Sequence, residues 1–214
     1  MNQWQEQISR GLSVPGAQRE RHLFQELNPK LAHAPILKSP PQAPRPASVL
    51  IGVRGGDDPT IVLTVRAPTM PSHAGQIGLP GGTPKEEDDG DVGTALREAE
   101  EEVGLARSSI DVLGTLGPHH GGLGYVVTPV IGIVDPGVPV EPCPREVSEA
   151  FEVPLSAVLD QGNHVVEQHI FNHVPYDMYA VPVFDTSGVR RNIWGLTAGI
   201  LRTFSEVFHY DSGR

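Results

Sequence analysis

One cysteine is all the chain carries. Cys143 therefore has no partner for an internal disulfide, and a disulfide-framed secreted protein is excluded. Basic charge is also scarce: 16 Lys and Arg stand against 26 Asp and Glu, a formal net charge of −10. A chain so acidic offers no broad cationic face to a phosphate backbone, so nucleic acid is not an expected partner. No stretch approaches the roughly eighteen uninterrupted apolar residues of a membrane span, and the opening MNQWQEQISRGLSVPG lacks the apolar centre of a signal peptide. No internal repeat is evident. A soluble cytoplasmic protein without membrane contact is expected, with a homodimer left open.

What is present suits one sizeable domain: 214 residues, 38% of them hydrophobic. Residues 1–46 are polar and then proline-rich, with Pro40, Pro41, Pro44 and Pro46 close together. They read as a short helix over 17–27 followed by an extended arm, a lead-in to a domain at 47–214. From Ala47 the pattern turns to β. SVLIGV (48–53) and TIVLTVR (60–66) flank a Gly-Gly-Asp-Asp-Pro turn and predict a hairpin, while 110–116, 125–134 and 178–184 are further apolar runs bounded by turn formers. Residues 194–208 repeat apolar side chains at helical spacing, with Trp194 and Phe204 as core residues. The reading is α/β, a mixed sheet flanked by a few helices.

The segment Lys85–Glu102 concentrates acidic residues at 86, 87, 88, 89, 91, 98, 100, 101 and 102 against Lys85 and Arg97. Asp91 suits an N-cap and Gly104 a C-terminal cap, and between them Val92, Ala95, Leu96, Ala99 and Val103 recur with helical period. At about 100° per residue, Glu98, Glu101 and Glu102 share one face, whereas Glu100 points well away to solvent. An acidic solvated face is the plain explanation. It loses ground because Glu98 and Glu102 form an i, i+4 like-charge pair at the edge of the apolar stripe, where partial burial raises the repulsion. Three oxygen donors on one rigid helix suit a hard divalent cation, with Arg97 reaching back over Glu101. An EF-hand fails on register, since neither Gly90 nor Gly93 can be its central glycine with ligands at the remaining positions.

At Arg97-Glu98-Ala99-Glu100-Glu101-Glu102-Val103-Gly104-Leu105 the chain resembles the Nudix hydrolase family, whose box ends in Arg-Glu-apolar-x-Glu-Glu-x-Gly-apolar. Asp89 stands where the family usually has a glutamate, and Thr83 where its box begins with glycine. The resemblance implies an α/β/α sandwich, Mg²⁺ or Mn²⁺ on Glu98, Glu102 and Glu101, and hydrolysis of a nucleoside diphosphate linked to another group. It extends to the coenzyme A pyrophosphatase branch. The run from Val62 through Thr64, Arg66, Ala67 and Gly75 to Pro80-Gly81-Gly82 keeps that branch's spacing, and Gly124–Gly132, Glu146–Leu155 and Trp194–Gly199 are similar to its later pieces. Pro71 replaces an arginine of the branch and Leu79 a phenylalanine.

The expected substrate is thus a small nucleotide derivative. It is coenzyme A or a thioester of it, giving 3′,5′-ADP and 4′-phosphopantetheine, with NADH, ADP-ribose or another dinucleotide as the alternative. A non-catalytic Nudix-fold binding module is the alternative of another class. A diphosphate repels nucleophiles, so metal must neutralise charge and lower the pKa of water, and a carboxylate must take the proton. A box glutamate (Glu101 or Glu102), Glu146 and Glu149 are candidates for that base. Arg97 joins the catalytic set, and Arg66, His73, Gly81 and Gly82 are candidate substrate-binding residues, Arg66 because a guanidinium offers paired donors to phosphate. His119 and His120 read as exposed loop polarity and Cys143 as a bystander; none receives a role.

Overall fold

The computed structural model describes residues 3–31, 43–70, 73–121 and 124–210. Pro71, Gly122 and the prolines at 40 and 41 lie outside the described residues. The chain opens with α1 (Gln3–Leu12), a 3-10 turn at Pro15–Gln18 and a short α2 (Leu23–Leu27). Strands β1 (Arg45–Arg54), β2 (Thr60–Arg66), β3 (Ile77–Gly78) and β4 (Gly81–Gly82) lead into α3 (Gly90–Val103). After it come β5 (Ile110–Thr115), β6 (His119–His120), β7 (Tyr125–Val134), β8 (Val147–Pro154), α4 (Leu155–Leu159), β9 (Val165–Phe171), β10 (Val174–Phe184), β11 (Arg190–Trp194) and α5 (Gly195–Phe208). No described helix is long and apolar enough to cross a membrane.

The main sheet runs β3-β2-β1-β7-β5, with β4 also paired to β1, β6 to β7 and β8 to β2. β1 and β7 are parallel in register from Arg45↔Tyr125 to Arg54↔Val134, and the other pairings are antiparallel, so the sheet is mixed. A second sheet has the order β11-β10-β9. Both faces of the main sheet are buried, which is why its central strands read as nearly continuous apolar runs. Successive side chains alternate: Ile51, Val53, Ile61, Leu63 and Ile131 face a core completed by α1, α4 and α5, while Leu50, Val62, Val130 and Val134 face Ala95, Ala99 and Val103 of α3. Helices thus cover the sheet on both sides.

The expected helix at 17–27 is corrected. The principal N-terminal helix is α1, whose Ile8 is buried with Trp4 and Leu12 packed beside it, an i, i+4, i+8 spacing. Residues 19–22 cannot be helical because Arg21 spends its backbone on a neighbouring strand: its N–H donates to the Pro118 carbonyl and its carbonyl accepts from the His120 N–H, each at 2.8 Å. Strands β8, β9 and β11, and the two-residue β3, β4 and β6, are additions to the predicted set.

His119 also departs from expectation, being fully buried. Its Nδ1–H donates to the Gly117 carbonyl at 2.8 Å, and its Nε2 accepts the Thr203 hydroxyl at 2.9 Å. Burial pushes its pKa down to about 4. The unfolded chain therefore binds a proton here that the folded chain refuses, and the stability this neutral ring supports is present above about pH 6.5 and drains away toward pH 4. Up to about 3 kcal/mol should be lost across that window. Urea unfolding at stepped pH should show a flatter acid slope for His119→Gln than for the wild type; parallel slopes would assign the loss to other groups.

Candidate metal and active site

α3 places the acidic side chains. Its apolar stripe docks on the sheet and Gly104, at φ 72°, closes it with a left-handed cap. At the other end the helix begins at Gly90, with its N-cap two residues before the expected Asp91. Asp89 occupies the N-cap without a side-chain bond, and Asp91 instead accepts the Ser48 hydroxyl at 2.8 Å, fastening α3 to β1.

Glu98, Glu102 and Glu146 come together: one carboxylate oxygen from each lies within 4.8 Å of the other two. Oxygen ligands around Mg²⁺ stand about 3 Å apart when adjacent and about 4 Å when opposite, so small side-chain rotations would close the three onto one hard cation. Glu102 is 2% exposed, and its Oε2 accepts the Gly81 N–H at 3.0 Å. Burial, opposed by that bond and by Arg66, raises its pKa to about 7, with Glu98 and Glu146 pushing the same way. Arg66 stands with Nη1 3.6 Å from Glu102 Oε1. The pairing of β2 with β8 sets Arg66 opposite Val147, and the Ala67 N–H donates to the Glu146 carbonyl at 2.8 Å, which brings Glu146 across to α3.

Glu101 is directed elsewhere, bonded to Lys85 Nζ and Arg97 Nη1, each at 3.0 Å. Arg97 is buried and acts as the site's anchor. Its guanidinium donates to Glu98 at 2.8 Å, to the Thr83 carbonyl at 2.9 Å, and to both oxygens of Asp88 at 2.9 Å. That arginine holds Asp88 well below the usual carboxylate range. Asp88, missed in the sequence, ties the loop before α3 to the helix; Asp89, at the family's glutamate position, does not. Glu149 pairs with Arg191 and is not in the cluster. His73 lies in the turn before β3 at φ 59°, with Nδ1 2.8 Å from Gln76 Oε1 and its ring edge-on to Tyr125 at 6.5 Å. The Arg45 guanidinium covers that Tyr125 ring at 4.4 Å, a grouping the sequence did not suggest. Cys143 is not in the cluster.

Gly81 and Gly82 are demanded by close approach, not by a turn. A Cβ on Gly81 would lie 2.4 Å from the Ser48 carbonyl oxygen, and one on Gly82 would lie 2.5 Å from Glu98 Oε1. Glu100 is exposed, so Glu100→Gln should leave metal affinity and turnover within about twofold of wild type. A loss matching that of a Glu102 variant in the same assay would mean that the cluster is not the working site.

Three carboxylates beside an arginine, on a mixed α/β fold, are the equipment of metal-assisted hydrolysis at phosphorus. Comparison with known proteins supplies the family. The NUDIX domain model matches residues 43–173, and the chain belongs to the Nudix hydrolase family. An uncharacterized Nudix hydrolase NudL of Photorhabdus laumondii is 37% identical over 169 residues, covering 76% of this chain and 84% of the relative. A protein of the same name from Shigella flexneri serotype 5b is 36% identical over 183 residues, covering 84% and 88%. Among solved structures, a MutT/nudix family protein from Enterococcus faecalis overlays with a TM-score of 0.50 at 14% identity, over 97% of this chain and 74% of that one, a likeness of fold alone. The chain is thus an enzyme that hydrolyses the diphosphate of a nucleotide derivative, in a family that generally uses divalent metal ions.

Proposed function

We propose that the substrate is coenzyme A or its thioesters, cleaved at the diphosphate to 3′,5′-ADP and 4′-phosphopantetheine or its acyl form, with Mg²⁺ or Mn²⁺ as the ion. The observation that carries the reaction is the convergence of Glu98, Glu102 and Glu146 within 4.8 Å beside Arg66. The branch resemblance of 62–82, 124–132, 146–155 and 194–199 supports the substrate. When bound, the ion neutralises diphosphate charge and acidifies a water. Glu98 and Glu102 hold it from the helix, and Arg97, by fixing Glu98, keeps the set in register. Glu101 backs the set through that same arginine.

Glu146, through the carboxylate oxygen it does not turn toward the cluster, takes the proton as water adds to phosphorus and the bridging P–O bond breaks; among the described residues no hydrogen bond or ion pair is seen on its carboxylate. Arg66 offers paired donors to the phosphate oxygens. Tyr125, with Arg45 over its ring and His73 at its edge, provides an aromatic and cationic wall for the nucleotide. The absence of a cation at Pro71 favours, as a second reading, a dinucleotide such as NADH or ADP-ribose.

Incubation with Mg²⁺ or Mn²⁺ and a panel of coenzyme A, NADH, ADP-ribose and dinucleoside polyphosphates, with products identified by mass, separates these readings. Coenzyme A should be consumed fastest. Cleavage of NADH or ADP-ribose with coenzyme A untouched would end the coenzyme A assignment and leave the diphosphatase standing.

A further inference from the structure

A second group of metal-binding character lies on the N-terminal segment. Residues 17–21 run beside β6 and the residues before it. The Gly117 N–H donates to the Ala17 carbonyl and the Arg21 N–H to the Pro118 carbonyl, each at 2.8 Å, and Arg21 bridges His119 in parallel. Extended chains send alternate side chains to opposite faces. Inward go Arg21 and His119, which meet on the Thr203 hydroxyl at 3.1 and 2.9 Å. Outward go Glu20, His22 and His120.

The outward three converge closely. Glu20 Oε1 is hydrogen-bonded to His120 Nε2 and lies 4.0 Å from His22 Nε2. The two imidazoles stack with centroids 4.0 Å apart and planes 24° from parallel. One donor atom from each residue falls within 4.8 Å of the others. A Glu–His hydrogen bond accounts for Glu20 and His120 but not for His22, which turns a second Nε2 toward the same oxygen.

We propose that Glu20, His22 and His120 form a site for a borderline divalent ion of the zinc type, separate from the catalytic cluster. Two imidazoles and a carboxylate suit such an ion, whereas the all-oxygen set of Glu98, Glu102 and Glu146 suits a harder one. Ligands 2.0–2.1 Å from tetrahedral zinc stand about 3.3 Å apart, and to aim both Nε2 lone pairs at one ion the stacked rings must splay, a rotation open to His22 at its exposed position, with water as the fourth ligand. The ion would clip the N-terminal segment to the sheet edge, so its binding would add to the stability of the folded chain.

The test is calorimetric titration of the full chain with ZnCl₂ in millimolar Mg²⁺, which competes for the carboxylate cluster. One equivalent should bind with micromolar or tighter affinity and raise the melting temperature. His22→Ala and Glu20→Gln, both at exposed positions, and His120→Gln should each weaken that event at least tenfold, while Glu102→Gln leaves it unchanged. Co²⁺ in place of Zn²⁺ should give the visible absorption of tetrahedral coordination in the wild type. Zinc binding that persists in both histidine variants, binding that vanishes with Glu102→Gln, or none tighter than about 100 micromolar would each overturn the site. Circular dichroism of each variant establishes that a lost event is not a lost fold, and the wild-type cobalt spectrum stands independently of the variants.

Discussion

Glu102→Gln is expected to lower turnover at least about a hundredfold at saturating Mg²⁺, the scale seen when charge stabilisation at a metal centre is disturbed. The fold should hold, because glutamine keeps the shape and can still accept the Gly81 N–H that Glu102 accepts at 3.0 Å. Without metal the same substitution should stabilise. The Glu102 pKa is raised by burial to about 7, so the favourable contribution of its neutral form is complete below about pH 4.5 and lost as pH rises through 7. Glutamine, neutral throughout, escapes that loss. In chelator the variant should match the wild type at pH 4 and exceed it by up to about 3 kcal/mol at pH 8. Urea melts at the two pH values measure the difference, and unchanged turnover with saturating metal would take Glu102 out of the site.

Alanine at the two adjacent glycines should produce two different failures. The Cβ of Gly81→Ala meets backbone, 2.4 Å from the Ser48 carbonyl oxygen and 2.6 Å from Val49 Cα, in a strand buried at the sheet centre. Nothing there can give, and about 3 kcal/mol or more of stability should go. The Cβ of Gly82→Ala meets the Glu98 carboxylate, 2.5 Å from Oε1 and 2.6 Å from Cδ, the movable end of a side chain. That variant should fold within about 1 kcal/mol of wild type yet lose metal affinity and turnover by about 10- to 100-fold, as for a displaced ligand. Thermal melts beside metal titrations distinguish the cases. A Gly82→Ala protein that bound metal normally would place Glu98 outside the coordination sphere.

α3 was legible because period, cap and charge agree within fourteen residues, and the central strands were legible because burial on both faces makes them continuous. β8 was harder. In VSEAFEVP the apolar Val147, Phe151 and Val153 alternate with acidic residues, so it looks like a functional motif before it looks like a strand. Strand β11, RRNIW, has too few apolar residues to announce itself. A helical wheel shows that Glu98, Glu101 and Glu102 share a face, but not which side of that face the rest of the chain approaches. Lys85 comes to Glu101, and β8 delivers Glu146 to Glu102. His119 and His120 illustrate the same gap: read as loop they look alike, whereas in a strand one must face in and the other out.

The NUDIX match stops at His173, in the turn joining β9 to β10. Yet Ile8 and Ala17 before it, and Val181, Ile193, Leu201 and Phe204 after it, share one core with Ile51 and Ile131 inside it. The border that descent has kept recognisable and the border of what folds are therefore different lines. A gene fusion or excision drawn at 43 and 173 would transplant the carboxylates and leave behind the α1 and α5 that roof one side of the sheet on which they rest.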